Sequence, residues 1–211
     1  MNDDKELPDY YTHVAGDVMR LCDPRPGIWL DLGCGAGPLA LALADLSDSV
    51  IVMVDPNGSA LQDGLRKAAQ RGMAGRVVSI CAPAEAMPLA DESVDLIVSR
   101  GSIFFWKDRP AGLREIYRVL RPGGKAMIGG GLGSTYPPWA RRKFIAQRRA
   151  GQEENARRAF REVRSHETFS NWASQAGVPR FDVIGEGGLS EDDPDTGLGV
   201  WLLFDKEVCQ Q

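Results

Sequence analysis

Residues Ile28 to Leu41 read Ile-Trp-Leu-Asp-Leu-Gly-Cys-Gly-Ala-Gly-Pro-Leu-Ala-Leu, and no other stretch limits the fold so strongly. Ile28, Trp29 and Leu30 form a short apolar run, as expected of a strand covered on both faces. Gly33, Gly35 and Gly37 follow at alternate positions. Lacking Cβ atoms, they allow a tight turn and the close approach of a ligand. Pro38 suits the first helical position, where its missing N–H costs nothing. Leu39, Leu41 and Leu43, with alanines between them, make a helix that packs closely on a sheet. The predicted unit is strand, glycine turn, helix.

Such a turn points to a nucleotide cofactor. The dinucleotide fingerprint G-x-G-x-x-G needs its third glycine for close helix–strand packing. Counted from Gly33, that position is Pro38, so the fingerprint fails. The chain instead carries D-x-G-x-G-x-G from Asp31. An acid at Asp31 suits the cationic end of a cofactor such as S-adenosylmethionine, which has a sulfonium and an ammonium and no phosphate. The alternative is that Gly33, Gly35 and Gly37 are turn glycines only. The run Val50 to Val54 then ends in Asp55. An acid about 20 residues beyond the glycine turn is the ribose-hydroxyl acceptor of a βαβ nucleotide site. Asp55 is also a good helix N-cap before Pro56, and both roles hold together if Asn57 or Ser59 does the capping.

These residues resemble the class I S-adenosylmethionine-dependent methyltransferases, and the likeness continues in that family's order over roughly residues 8–130. Ala84-Glu85-Ala86-Met87-Pro88-Leu89 is similar to the loop after the third strand, whose backbone meets adenine. Ser93 to Ser99 is similar to the fourth strand, and Arg114 to Gly124 to the helix and turn before the fifth. The resemblance implies an α/β, Rossmann-like three-layer sandwich. Its seven-stranded, mostly parallel sheet has order 3-2-1-4-5-7-6, with the last strand antiparallel and helices on both faces. It implies S-adenosylmethionine as cofactor and S-adenosylhomocysteine as product. The cofactor-binding residues it implies are Tyr11, Asp31, Gly33, Gly35, Gly37, Asp55, Pro56, Ala84, Glu85, Ser99 and Arg100. Where the family commonly has an Asp for the adenine amino group, this chain has Pro83. Adenine recognition then falls to backbone around Ala84 and Glu85, or to Glu85 itself.

One domain of 211 residues is expected. It divides into an N-terminal helical lid (1–24), a cofactor-binding core (25–130), a helical substrate-side segment (131–177) and a C-terminal β-hairpin (178–211). A net charge of −4 argues against a generally basic nucleic-acid binder. No apolar run approaches the length of a membrane span, and the acidic N-terminus is no signal peptide. Cysteines at 22, 34, 81 and 209 show no disulfide or metal spacing, which fits a reducing cytoplasm. No metal is expected.

Tyr11, Val14, Val18 and Leu21 share the face of a helix over 8–21. Tyr11 is the candidate to lie over the cofactor, or else simply packs. After Asp55, a helix is predicted over Ala60–Arg71, a strand over Arg76–Cys81, and a fifth strand from Lys125 after the Gly123-Gly124 turn. Asp95 reads as structural. Ligands of open α/β sheets sit outside the carboxyl ends of the strands, so Ser99 to Trp106 faces the substrate. Arg100 either holds an anionic acceptor or pairs with a structural acid. Phe104, Phe105 and Trp106 either wall a pocket or pack a core. The Asp/Asn-Pro-Pro-aromatic motif of many nucleic-acid amino-methylating enzymes is replaced here by Ser-Arg-Gly-Ser. Residues 137–164 carry nine Lys/Arg against three Glu. They form either a lid that gathers an anionic substrate or a solvated helical face. The Gly- and Asp-rich 185–199 reads as a surface loop.

The function expected is methyl transfer to a small-molecule acceptor, anionic if the basic segment serves it. A non-catalytic cofactor-binding module, an NAD-dependent oxidoreductase and an RNA methyltransferase are the rivals. Tyr11, His13 and His166 are the candidate bases, and no catalytic residue is assigned. Neither the acceptor nor the oligomeric state follows from the sequence.

Overall fold

Strand β1 (Ile28–Leu32) lies inside a seven-stranded sheet of order β3-β2-β1-β4-β5-β7-β6. The computed structural model describes residues 5–150, 159, 162–185 and 199–208. Parallel pairing joins β1 to β2 (Val50–Val54) and β4 (Val94–Arg100), β2 to β3 (Val77–Ile80), and β4 to β5 (Leu120–Gly130). Strand β7 (Val200–Asp205) runs antiparallel to both β5 and β6 (Asp182–Gly185). The order predicted by resemblance is the order observed. The Gly/Asp-rich loop 186–198 lies outside the described residues, as do Arg157, Arg158 and Arg161 of the basic segment.

Alternation along the strands builds two cores, because successive side chains leave opposite faces. Leu30, Leu32, Val52, Val54 and Ile97 face helices α4 (Arg109–Val119) and α6 (His166–Ala176) through Leu113, Ile116, Phe169 and Ala173. Trp29, Ile51, Met53, Leu96 and Val98 face α1 (Tyr10–Cys22), α2 (Pro38–Leu46) and α3 (Gly58–Gln70). Each such buried apolar side chain contributes about 1.5–3 kcal/mol. A third, smaller cluster joins Leu132, Tyr136 and Ala140 to Leu7, Tyr10 and Phe144, and so seats α5 (Pro138–Arg149) over the end of β5 beside the start of α1.

Helix ends follow the sequence closely. Asp9, Asn57, Asp108 and Ser165 accept from backbone N–H groups at the starts of α1, α3, α4 and α6. Asn57 therefore takes the capping duty and leaves Asp55 to the turn. Helix α3 begins two residues earlier than predicted, because the Asn57 cap sets its start. Strand β5 begins at Leu120 rather than Lys125. Its register on β4 jumps from Val94↔Leu120 to Leu96↔Lys125, so Arg121 to Gly124 bulge out while pairing continues. Gly123 takes φ +79° within that bulge. Arg121 is anchored there on Asp95, which also accepts from the Ile28 amide at 2.8 Å. Asp95 is thus structural, as read from the sequence.

The chain winds outward from β1 to β3 and then returns to lay β4 on the other side of β1. The carboxyl ends of β1 and β4 diverge at this switch point and open a crevice.

Candidate active site

The crevice is a cavity of about 1550 Å³. Its floor is the turn between β1 and α2, where Gly33, Gly35 and Gly37 have φ of +69°, +56° and +70°. That left-handed backbone favours glycine. The amides of Gly33 and Cys34 donate to the Val54 carbonyl and tie the turn to the end of β2. A Cβ on Gly33 would strike Ser102 at 2.2 Å, and one on Gly37 would strike the Met53 sulfur at 2.2 Å. A Cβ on Gly35 would meet nothing within 4 Å. Gly33 and Gly37 are therefore glycines for packing, and Gly35 is a glycine for the space it leaves in the cavity.

Two acids face that space. Asp55 is held by two backbone donors, Gly35 N to Oδ2 and Asn57 N to Oδ1, both at 2.8 Å. Each oxygen keeps a lone pair that a vicinal diol can use. Asp31, only 2% exposed, accepts from the Ala40 amide at 2.9 Å and so caps α2, which has no side-chain cap of its own. Burial first, and the Asp55 charge after it, push the Asp31 carboxyl up to about 7, against the Ala40 hydrogen bond and the Arg100 charge. A cation reaching Asp31 would stabilise its ionised form. The same burial and the same two acids hold the Cys34 thiol above its ordinary range, so Cys34 is an inert wall residue.

Pro56, Ala82, Pro83 and Ala84 line an apolar slot of the cavity, with Pro56 following Asp55 in the chain. Glu85 borders the slot, but its Oε1 accepts from the Lys107 and Asp108 amides at 2.7 and 3.1 Å. It thereby joins the 82–85 loop to the start of α4.

Tyr11 lines the cavity from α1. Burial and the neighbouring Tyr10 hydroxyl hold its phenol above the ordinary range. Arg100 lines the cavity beside it: its Nε donates to the Gly131 carbonyl at 2.8 Å, and its guanidinium lies 4.1 Å from the Tyr10 ring centroid and 5.0 Å from that of Tyr11.

Ten of the eleven residues suggested for the cofactor line the crevice or form its turn: Tyr11, Asp31, Gly33, Gly35, Asp55, Pro56, Ala84, Glu85 and Arg100 line it, and Gly37 closes the turn. Ser99 is not among them. It is fully buried and hydrogen-bonded at 2.6 Å to Ser102, which stands between it and the cavity. Ser102 also donates to the Leu32 carbonyl and accepts from the Trp106 indole. Of the candidate bases only Tyr11 lines the cavity. His13 contacts Thr135 at 2.7 Å, and His166 starts α6. Phe104, Phe105 and Trp106 all border the cavity, with Trp106 also in the core and Phe105 86% exposed at the mouth. The lining also takes in Leu132, and Phe144, Val163 and Arg164 of the basic 137–164 segment.

The strand order and helices are those of a Rossmann-like α/β domain of the methyltransferase type. Residues 30–128 match the family described as methyltransferase domain. Over 101 residues the chain is 39% identical to the ubiquinone/menaquinone biosynthesis C-methyltransferase UbiE of Geotalea daltonii, covering 47% of this chain and 43% of that protein. The aligned stretch thus spans less than half the length of this relative. A solved structure from Methanococcus maripaludis, assigned provisionally as an S-adenosyl-L-methionine-dependent methyltransferase, superposes with a TM-score of 0.78 at 29% identity, covering 95% of this chain and 87% of that one. The [4+2]-cyclase SpnF shares the fold at a TM-score of 0.62 and 19% identity, covering 93% of this chain and 82% of its own.

Proposed function

We propose that the chain binds S-adenosylmethionine in this crevice and transfers its methyl group to a small-molecule acceptor. The observation that carries the reading is the open space over Gly35, faced by Asp55 and Asp31. Asp55 takes the ribose hydroxyls, the slot formed by Pro56 and Ala84 takes the adenine, and Asp31 takes the cationic amino-acid end. Glu85 is engaged with α4, so adenine is read through the Ala84–Glu85 backbone. Tyr11 and Arg100 close over the amino-acid end, with α1 as the lid. Bound there, the cofactor supplies a methyl group already activated by its sulfonium. The protein's own contribution is alignment and exclusion of water, and holding reactants in line supplies roughly 7–11 kcal/mol of a barrier. The acceptor enters on the side of Phe104, Leu132 and Phe144, between the lid and α5.

The UbiE relative supports a small organic acceptor, and Ser-Arg-Gly-Ser after β4 supports it against a nucleic-acid base. The free cysteines Cys22, Cys34 and Cys81 support a cytoplasmic site of action. Calorimetric titration with S-adenosylmethionine, S-adenosylhomocysteine and NADH tests the reading. Binding of the first two and not the third is expected, and binding of NADH alone would overturn it. A fold does not fix its function, and the second reading is that cofactor is bound without methyl transfer. Accumulation of S-adenosylhomocysteine with any acceptor separates the two.

A further inference from the structure

Asp31, Asp55, Glu85, Lys107 and Asp108 line the cavity. Arg100, Arg148 and Arg164 line it too, with Phe104, Leu132 and Phe144. The Arg164 guanidinium lies 3.8 Å from the Phe104 ring centroid. It rests on the end of β5: a Cβ on Gly130 would come within 3.1 Å of its Nη1, within 3.5 Å of the Phe104 ring and within 3.7 Å of Gly101 Cα. Glycines at 130 and 101 thus leave room for a guanidinium at the carboxyl ends of β4 and β5, next to the place of methyl transfer. Phe104 is itself fixed, its ring edge-on to the buried Phe169 and its carbonyl accepting from Arg109 at 2.7 Å.

Resting on the methyl-transfer reading above, we propose that the acceptor is a small organic anion. Arg164 holds its oxyanion over the glycine ends of β4 and β5, and Phe104, Leu132 and Phe144 cover its apolar body. A guanidinium fork stacked on an aromatic ring is oriented for a carboxylate or phosphate before the ligand arrives. Arg164 also feels its surroundings: burial, then the charges of Arg148 and Arg100, push its pKa down to about 10. A polynucleotide would bring further phosphates against Asp55, Glu85 and Asp108, which line the same cavity, whereas a small anion need not reach them.

The test uses the full chain with 1-naphthoate, 1-naphthyl phosphate and neutral 1-naphthamide, titrated calorimetrically with and without saturating S-adenosylhomocysteine. Naphthoate or naphthyl phosphate is expected to bind at least tenfold more tightly than naphthamide, and the tighter of the two identifies the oxyanion. Arg164→Gln should abolish that preference while S-adenosylhomocysteine affinity stays within twofold, and Arg164→Lys should restore only part of it. Equal binding of naphthoate and naphthamide, or an unchanged preference in Arg164→Gln, would overturn the proposal. Absence of S-adenosylhomocysteine binding would instead sink the methyl-transfer reading. The anion preference of the cofactor-free protein would still decide the arginine site.

Discussion

Replacing Asp31 by Asn is expected to stabilise the cofactor-free protein at neutral pH while weakening its grip on S-adenosylmethionine. The Asp31 carboxyl is pushed up to about 7 by burial and by Asp55, whereas an unfolded chain holds it near 3.9. An acid with a raised folded pKa binds its proton more tightly when folded. Its contribution to stability is therefore full at low pH and is lost as pH rises from about 4 through about 7. The whole loss is about 4 kcal/mol, at about 1.4 kcal/mol per unit. Asn keeps an acceptor for the Ala40 amide and does not titrate. Titrations common to both proteins cancel in their stability difference, which should move by about 1.4 kcal/mol in favour of Asp31→Asn between pH 6 and pH 8.5. Urea denaturation of both proteins across that range measures it. The cofactor should show the opposite preference, because its ammonium needs the carboxylate. Wild-type affinity should be roughly eightfold weaker at pH 6 than at pH 7.5, below the titration of the ligand's own α-amino group at about 7.7–8.0. In Asp31→Asn the affinity should be lower by at least about tenfold and flat with pH. A stability difference that stays constant with pH would refute the reasoning about burial. A pH-independent wild-type affinity would refute the pairing with the ammonium.

Other substitutions separate the parts of the crevice. Asp55→Ala should weaken S-adenosylmethionine by about ten- to a hundredfold in calorimetry, the loss of hydrogen bonds to a charged group of about 1.5–3 kcal/mol. Gly33→Ala and Gly35→Ala should diverge. The first, which drives a methyl into Ser102, should cost roughly 2–5 kcal/mol in chemical denaturation. The second meets open space and should cost only about 1–2 kcal/mol of backbone strain, yet lower cofactor affinity by at least about tenfold by filling the cradle. Phe169→Ala, at a fully buried site, should cost about 3–5 kcal/mol of stability. It should also loosen Phe104 and the arginine resting on it, seen as a weaker naphthoate preference.

What the sequence reveals is what neighbours in the chain decide. The strand, the glycine turn and Pro38 lie within one run, and Asp55 follows one βα unit later, so the cradle and its acids were readable from spacing. The Asn57 cap was readable for the same reason. Ser99 shows the opposite case. The motif after β4 marks its neighbourhood, but only the packing of Ser102 against Leu32, 70 positions away, turns Ser99 into the interior. Asp17 is another case. Buried on α1, it accepts from the Ser134 amide 117 positions away at 2.7 Å, and so binds the lid helix to the loop after β5. No periodicity announces that partner. Arg164 fell in the basic run that reads as either a lid or a solvated face, because charge alone does not separate a guanidinium laid on Phe104 from one in solvent. The start of β5 was missed because the Arg121–Gly124 bulge imitates a turn while strand pairing continues.

The contact between Gly33 and Ser102 also bears on how the molecule is made. The cradle is encoded near the beginning of the chain, yet its turn is buttressed by a residue that a ribosome adds 69 positions later. At synthesis rates of about 5–20 residues per second, the nascent chain carries an unsupported glycine turn for several seconds. Cofactor capture should therefore begin only after β4 has left the exit tunnel and inserted beside β1. A stalled chain ending before Val94 should be blind to S-adenosylhomocysteine, while one released after β7 should bind it.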